Sequence, residues 1–119
     1  MEQQKINPWK WQDQYGFSQA IEVTNASRVL YCAGQASVDD NGKPVHVGDM
    51  RKQIEQAFRN LDAVLKAAGF SLANVVRLSY YTTDVDAFLA AGDVVGGRLA
   101  AAASQPSGTL LGVEKLAFP

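Results

Sequence analysis

Asn60-Leu-Asp-Ala-Val-Leu-Lys-Ala-Ala-Gly69, followed by Ser71-Leu-Ala-Asn-Val-Val-Arg-Leu-Ser-Tyr-Tyr-Thr-Thr-Asp-Val-Asp-Ala-Phe88, reads as a helix end, a cap, a strand and the start of a second helix. Upstream, Met50, Ile54, Phe58, Leu61, Leu65 and Ala68 recur at steps of three and four, which gathers them into one apolar stripe on a helix face. Gly69 ends that helix, because glycine takes the left-handed position after a helix without a Cβ penalty, and Phe70 is placed to pack back on the last turn. Val75 to Thr83 is rich in β-branched and aromatic residues, as strands are, and Asp84 is suited to cap the next helix.

Working outward, Ser18 to Thr24 and Arg28 to Gly34 are strand-like runs joined by Asn25-Ala26-Ser27, which predicts a hairpin. A loop follows at Asp39-Asp40-Asn41-Gly42-Lys43-Pro44, with Asp49 after Gly48 as the expected cap of the first helix. Met1 to Gln14 is polar apart from Ile6, Trp9 and Trp11 and is interrupted by Pro8, so an irregular or extended lead-in is expected. The second helix is expected from about Val85 to Ala103, with Gly92, Gly96 and Gly97 inside it, each costing about 1 kcal/mol relative to alanine. Two explanations stand open: close packing of Gly92 and Gly96 against the sheet, or a frayed or kinked helix.

The order strand, strand, helix, strand, helix, strand fits an α+β domain, a mixed sheet with two helices on one face. Along Val29 to Gly34 and Thr109 to Val113 both alternating sets are largely apolar, as in a sheet covered on both sides. Two helices cover one face only, so a second cover is expected, unless a few apolar residues simply lie exposed.

The 119 residues make one domain, 1–119, with one core. Eleven Lys and Arg against twelve Asp and Glu, scattered over several elements, give none of the basic footprint of a nucleic-acid binder. Cys32 has no partner for a disulfide and the N-terminus does not read as a signal peptide, so a cytoplasmic protein is expected. No apolar run approaches the roughly 20 residues of a membrane-spanning helix.

Few residues stand out as reactive. His46 is the single histidine, in a loop with Asp39, Asp40 and Asp49 nearby in sequence, and reads as a solvated loop residue beside turn aspartates; a Ser-His-Asp arrangement is the alternative. One Cys and one His do not make a metal site. Cys32, mid-strand, reads as a small buried hydrophobe. Trp9 and Trp11 face one side if their segment is extended, forming an aromatic platform for packing or for covering a cleft. Asp84 and Asp86 are explained by helix capping and the helix dipole rather than by acid–base work.

Phe17-Ser-Gln-Ala20, Leu30-Tyr-Cys-Ala-Gly-Gln35, the Asn60 to Gly69 helix end, Val75-Val-Arg-Leu, Thr83-Asp-Val-Asp-Ala-Phe88 and Gln105-Pro-Ser-Gly-Thr109 together resemble the Rid (YjgF-like) family of enamine/imine deaminases across most of residues 15 to 119. The resemblance implies a homotrimer whose sheets line a central barrel-like core, with a small-molecule ligand in clefts between subunits and no cofactor. It also implies a further strand after Pro119, rich in alternating Glu and Ile or Val, which carries a glutamate into the site; its absence leads us to expect an incomplete chain.

In the archetype an arginine just after a Pro-Ala pair holds the substrate carboxylate, and water, assisted by that glutamate, attacks the imine carbon. Matching Pro106-Ser107 to the pair puts Gly108 in the arginine's slot. The family's tyrosine falls on Phe17 and an asparagine early in the second helix falls on Gly92. The implied substrate-binding residues are Phe17, Ser18, Gly34, Gly92, Gln105, Ser107, Gly108 and Thr109, with Gln19 and Gln35 as further polar groups and no catalytic residue identified. A roomier, less polar cleft favours a substrate other than 2-aminoacrylate, without a carboxylate or held elsewhere. The competing expectation is a non-catalytic trimer that binds a small molecule. A ribonuclease, a label also attached to the family, finds no support in a basic groove, an aromatic stacking motif or a histidine pair.

Overall fold

The computed structural model describes residues 2–119, and Met1, the first residue of the expected lead-in, lies outside them. Helix α1, Met50–Ala67, is the spine of the domain. Asp49 caps it, its side chain accepting from the Lys52 N–H at 3.1 Å. At the other end Gly69 has φ +79°, the Gly69 N–H reaches the Lys66 carbonyl at 3.0 Å, and the Phe70 N–H reaches that of Leu65 at 2.8 Å. That pair of bonds is the Schellman ending anticipated from Ala-Ala-Gly-Phe. Arg28 closes it from outside, donating to the Ala68 carbonyl at 3.2 Å with its guanidinium 4.6 Å from the Phe70 ring centre.

Ile54, Phe58 and Leu65 carry the buried stripe of α1, and they meet Leu72, Ala91, Val95 and Leu99 in one core. The Asp49 cap satisfies a backbone donor that water would otherwise have to reach. Asp49→Ala is expected to lower stability by about 1 kcal/mol, seen as a lower urea midpoint at unchanged slope. An unshifted midpoint would mean that the cap contributes nothing.

The strands fall into two pairs. β1, Glu2–Ile6, runs antiparallel to β2, Ala20–Thr24, from Glu2↔Thr24 to Ile6↔Ala20. β3, Arg77–Thr82, runs parallel to β4, Ser107–Gly112, from Arg77↔Ser107 to Thr82↔Gly112. Between β3 and β4 the chain crosses over through α2, Val85–Ala90, and α3, Gly92–Ala101, as a parallel pair requires. Asp84 caps α2, accepting from the Ala87 N–H at 3.0 Å. The chain is thus a single small α+β domain, with helices packed on the side of β3–β4 from which Leu78 and Tyr80 reach the core.

Three local expectations are corrected. The hairpin of 18–24 with 28–34 does not form: β2 takes β1 as its partner, and residues 28–36 join no ladder among the described residues. Asn25, at φ +56°, sends the chain away instead of back along β2, and a strand without a partner leaves its backbone groups to solvent. Val29 and Tyr31 are accordingly 69% and 91% exposed, and Cys32, expected to be buried, is exposed. The second helix is two helices, breaking at Ala91, which is buried in the core. Close packing is not what its glycines are for, since a Cβ at Gly92, Gly96 or Gly97 would meet nothing within 4 Å.

Candidate functional site

The group nearest the expected site is built where the chain before β2 meets the entry to β4. Ser18 is 1% exposed; its N–H donates to the Pro106 carbonyl at 3.0 Å and its Oγ donates to the Gln105 carbonyl at 2.5 Å. Gln105 returns the contact, its Nε2 donating to the Phe17 carbonyl at 2.9 Å and to Asp13 Oδ1 at 3.0 Å. Phe17 and Ser18 are thereby locked to Gln105 and the buried Pro106, more than 85 residues away in sequence. Trp11 joins the group, its ring edge-on to Phe17 with centroids 5.9 Å apart. It does so from a short 3-10 turn, Trp11–Tyr15, so the expected extended Trp9–Trp11 platform does not form.

Alternation along β3 and β4 divides the remaining candidates. Paired residues of parallel strands project to the same side, which puts Arg77 with Ser107 and Ser79 with Thr109 on the side away from the core. Arg77 Nη2 donates to Thr109 Oγ1 at 2.8 Å, and Ser107 Oγ donates to the Val76 carbonyl at 2.8 Å. Gly108 lies on the opposite side, with Leu78 and Tyr80. A Cβ at residue 108 would stand 2.6 Å from the Leu78 carbonyl oxygen and 3.9 Å from Cε2 of Tyr80. The glycine is therefore required by the close approach of β3, and the place where a side chain would begin is taken by backbone.

Tyr80 is the residue that sequence reasoning missed. Its ring packs against Phe88, centroids 5.4 Å apart, and burial pushes its phenol up to about 12, so it is a neutral hydrogen-bonding group throughout the physiological range. The signal was available in the register, because residues 78, 80 and 82 must share the side of Gly108 once β3 and β4 pair in parallel. Gly34 lies in the unpaired 28–36 segment, where a Cβ would meet nothing within 4 Å, and is not part of the Phe17–Gln105 group. Gly92 begins α3, and the ten residues of that helix carry the chain roughly 15 Å before it nears Gln105.

The other reactive candidates lie apart. His46, at φ +62°, borders a shallow depression of about 440 Å³ with Asp39, Asp40 and Gln56 and no serine. Asp39 is occupied with its own turn, accepting the Asn41 and Lys43 N–H groups at 2.9 and 3.0 Å. Among the described residues no set of three His, Cys, Asp or Glu side chains is arranged to hold a metal, and no helix is long and apolar enough to cross a membrane.

Residues 12–119 match the protein family described as Endoribonuclease L-PSP. A RutC family protein of Pyrococcus horikoshii is 31% identical over 111 residues, covering 86% of this chain and 86% of that protein. The 2-iminobutanoate/2-iminopropanoate deaminase of Rattus norvegicus is 30% identical over 110 residues, 85% of this chain and 78% of the enzyme. Among crystal structures, YyfB of the conserved Rid protein family from Yersinia pestis matches 100% of this chain and 91% of its own, at 32% identity and a TM-score of 0.88.

Proposed function

This chain belongs to the Rid family, the family described as Endoribonuclease L-PSP, and on that premise we propose that it is a hydrolase that deaminates a small, uncharged imine or enamine. The observation that carries the substrate class is Gly108: the slot in which the archetype holds a carboxylate-binding arginine has no room for a side chain. Beside it, on the same side of β3–β4, stands the neutral Tyr80 ring. Arg77 projects from the far side of the strand pair, where Thr109 holds it.

The reaction needs no redox partner. Water adds to the imine carbon, the carbon–nitrogen bond breaks, and ammonia leaves a carbonyl product; for an enamine, protonation at carbon gives the imine first. A neutral phenol suits this chemistry as a donor to a polar but uncharged substrate, since no unpaired charge has to be desolvated with it. The cleft is completed in this reading by neighbouring copies in a homotrimer. The exposed apolar residues Val29, Leu30, Tyr31, Tyr81 and Leu111 are the surface such copies would cover, and Tyr81 and Leu111 share the side of β3–β4 that the helices leave bare.

A non-catalytic trimer that only binds a small molecule is the second reading, and Gly108 favours it equally, because binding survives where an anchor for chemistry is gone. Turnover separates them. Ammonia and carbonyl release from freshly generated neutral, cationic and carboxylate-bearing imines is expected to exceed the uncatalysed rate for the neutral ones. Flat excess rates across the panel would leave binding alone.

A further inference from the structure

We propose that a second cleft, between β1, the Trp11–Tyr15 turn and α3, binds a small aliphatic amino acid as its zwitterion, next to the Phe17–Ser18 group with which it shares Gln105. The cleft encloses about 310 Å³, at the lower end of the range for small-molecule sites. Its walls carry one cation and one anion, Lys5 and Asp13, and among the described residues neither forms an ion pair with the other or with any third residue. Asp13 is held in place from one side only: its Oδ1 accepts from Gln12 Nε2 at 3.3 Å and from Gln105 Nε2 at 3.0 Å. A fixed carboxylate with its other oxygen free is a receptor for an ammonium group.

Two further features of the cleft cost stability and find no return within the chain. Ser104, more than nine-tenths buried at its wall, has a hydroxyl with no hydrogen-bond partner, so the desolvation of that polar group is left uncompensated. Gly96, inside α3, sits where a Cβ would meet nothing within 4 Å, so alanine would fit and would favour the helix. A ligand accounts for both. Gly96 keeps the cleft open, and the Ser104 hydroxyl, turning from one staggered position to another about χ1, donates to a bound carboxylate alongside Lys5. Leu99 supplies an apolar wall against which a short aliphatic side chain rests.

Calorimetric titration of the whole chain with L-alanine, propionate and ethylamine tests this. Saturable L-alanine binding is expected, with propionate and ethylamine each weaker by about tenfold or more, because each offers one charge to a two-charge site. Asp13→Asn should weaken L-alanine to a similar extent and leave propionate unaffected. Gly96→Leu should abolish binding without lowering the melting temperature, which separates a filled cleft from an unfolded protein. Absence of L-alanine binding at about 10 mM, equal affinity for all three probes, or binding that survives Gly96→Leu would each overturn the assignment.

Discussion

Gly108→Ala is expected to destabilise the protein by about 1–3 kcal/mol, although it adds a single methyl group to a half-buried strand position. The added carbon would stand 2.6 Å from the Leu78 carbonyl oxygen, whereas carbon–oxygen contacts between neighbouring strands settle at roughly 3.3–3.6 Å. Relief requires moving backbone, not a side chain, and that backbone belongs to a ladder paired from Arg77↔Ser107 to Thr82↔Gly112. Arginine at this position would bring the same Cβ and the same strain. Equilibrium urea unfolding reads the effect directly, and an alanine variant as stable as the parent would show that β3 and β4 have room for a side chain between them.

Phe58→Ala is expected to cost more, about 3–5 kcal/mol, the range for truncating a buried aromatic. Phe58 is buried at the centre of the α1 stripe among Ile54, Leu65, Val95 and Leu99, so its removal leaves a void that the two helices close only in part. The ring also has a second task. The Arg98 guanidinium lies 5.6 Å from its centre while bonding to Asp62, so the ring supports the ion pair joining α3 to α1. Phe58→Leu should recover most of the loss by refilling the space. A loss below about 1 kcal/mol for the alanine variant would mean that the core is organised elsewhere.

Helix α1 was fully legible because it obeys one strong rule at each level: period-3.6 apolar residues, an aspartate before the first turn and glycine after the last. Strand β3 and the Asp84 cap were legible for the same reason. β1 was not, because Glu2–Ile6 is exposed at every position and exposure erases the alternation that marks a strand. The strand-like run at 28–34 misled for the opposite reason: its residues have the composition of a strand, yet pairing depends on a partner that composition cannot supply. At the site, resemblance brought Phe17, Ser18, Gln105 and Ser107 onto the page together; the Ser18–Gln105 and Gln105–Phe17 hydrogen bonds join the first three, while Ser107 bonds to Val76. It could not show that Gly108 faces the Leu78 carbonyl, nor that Tyr80 lies beside it, since both follow from the register of β3 against β4.

The central claim is that a closed arginine slot selects uncharged substrates, and the most direct measurement sets 2-iminopropanoate against its neutral amide in side-by-side initial rates of ammonia release. The account predicts catalysed hydrolysis of the amide, with kcat/KM at least about tenfold above that for the carboxylate. Faster hydrolysis of the carboxylate would contradict it, because the protein would then be holding an anion for which its side of β3–β4 provides no cation.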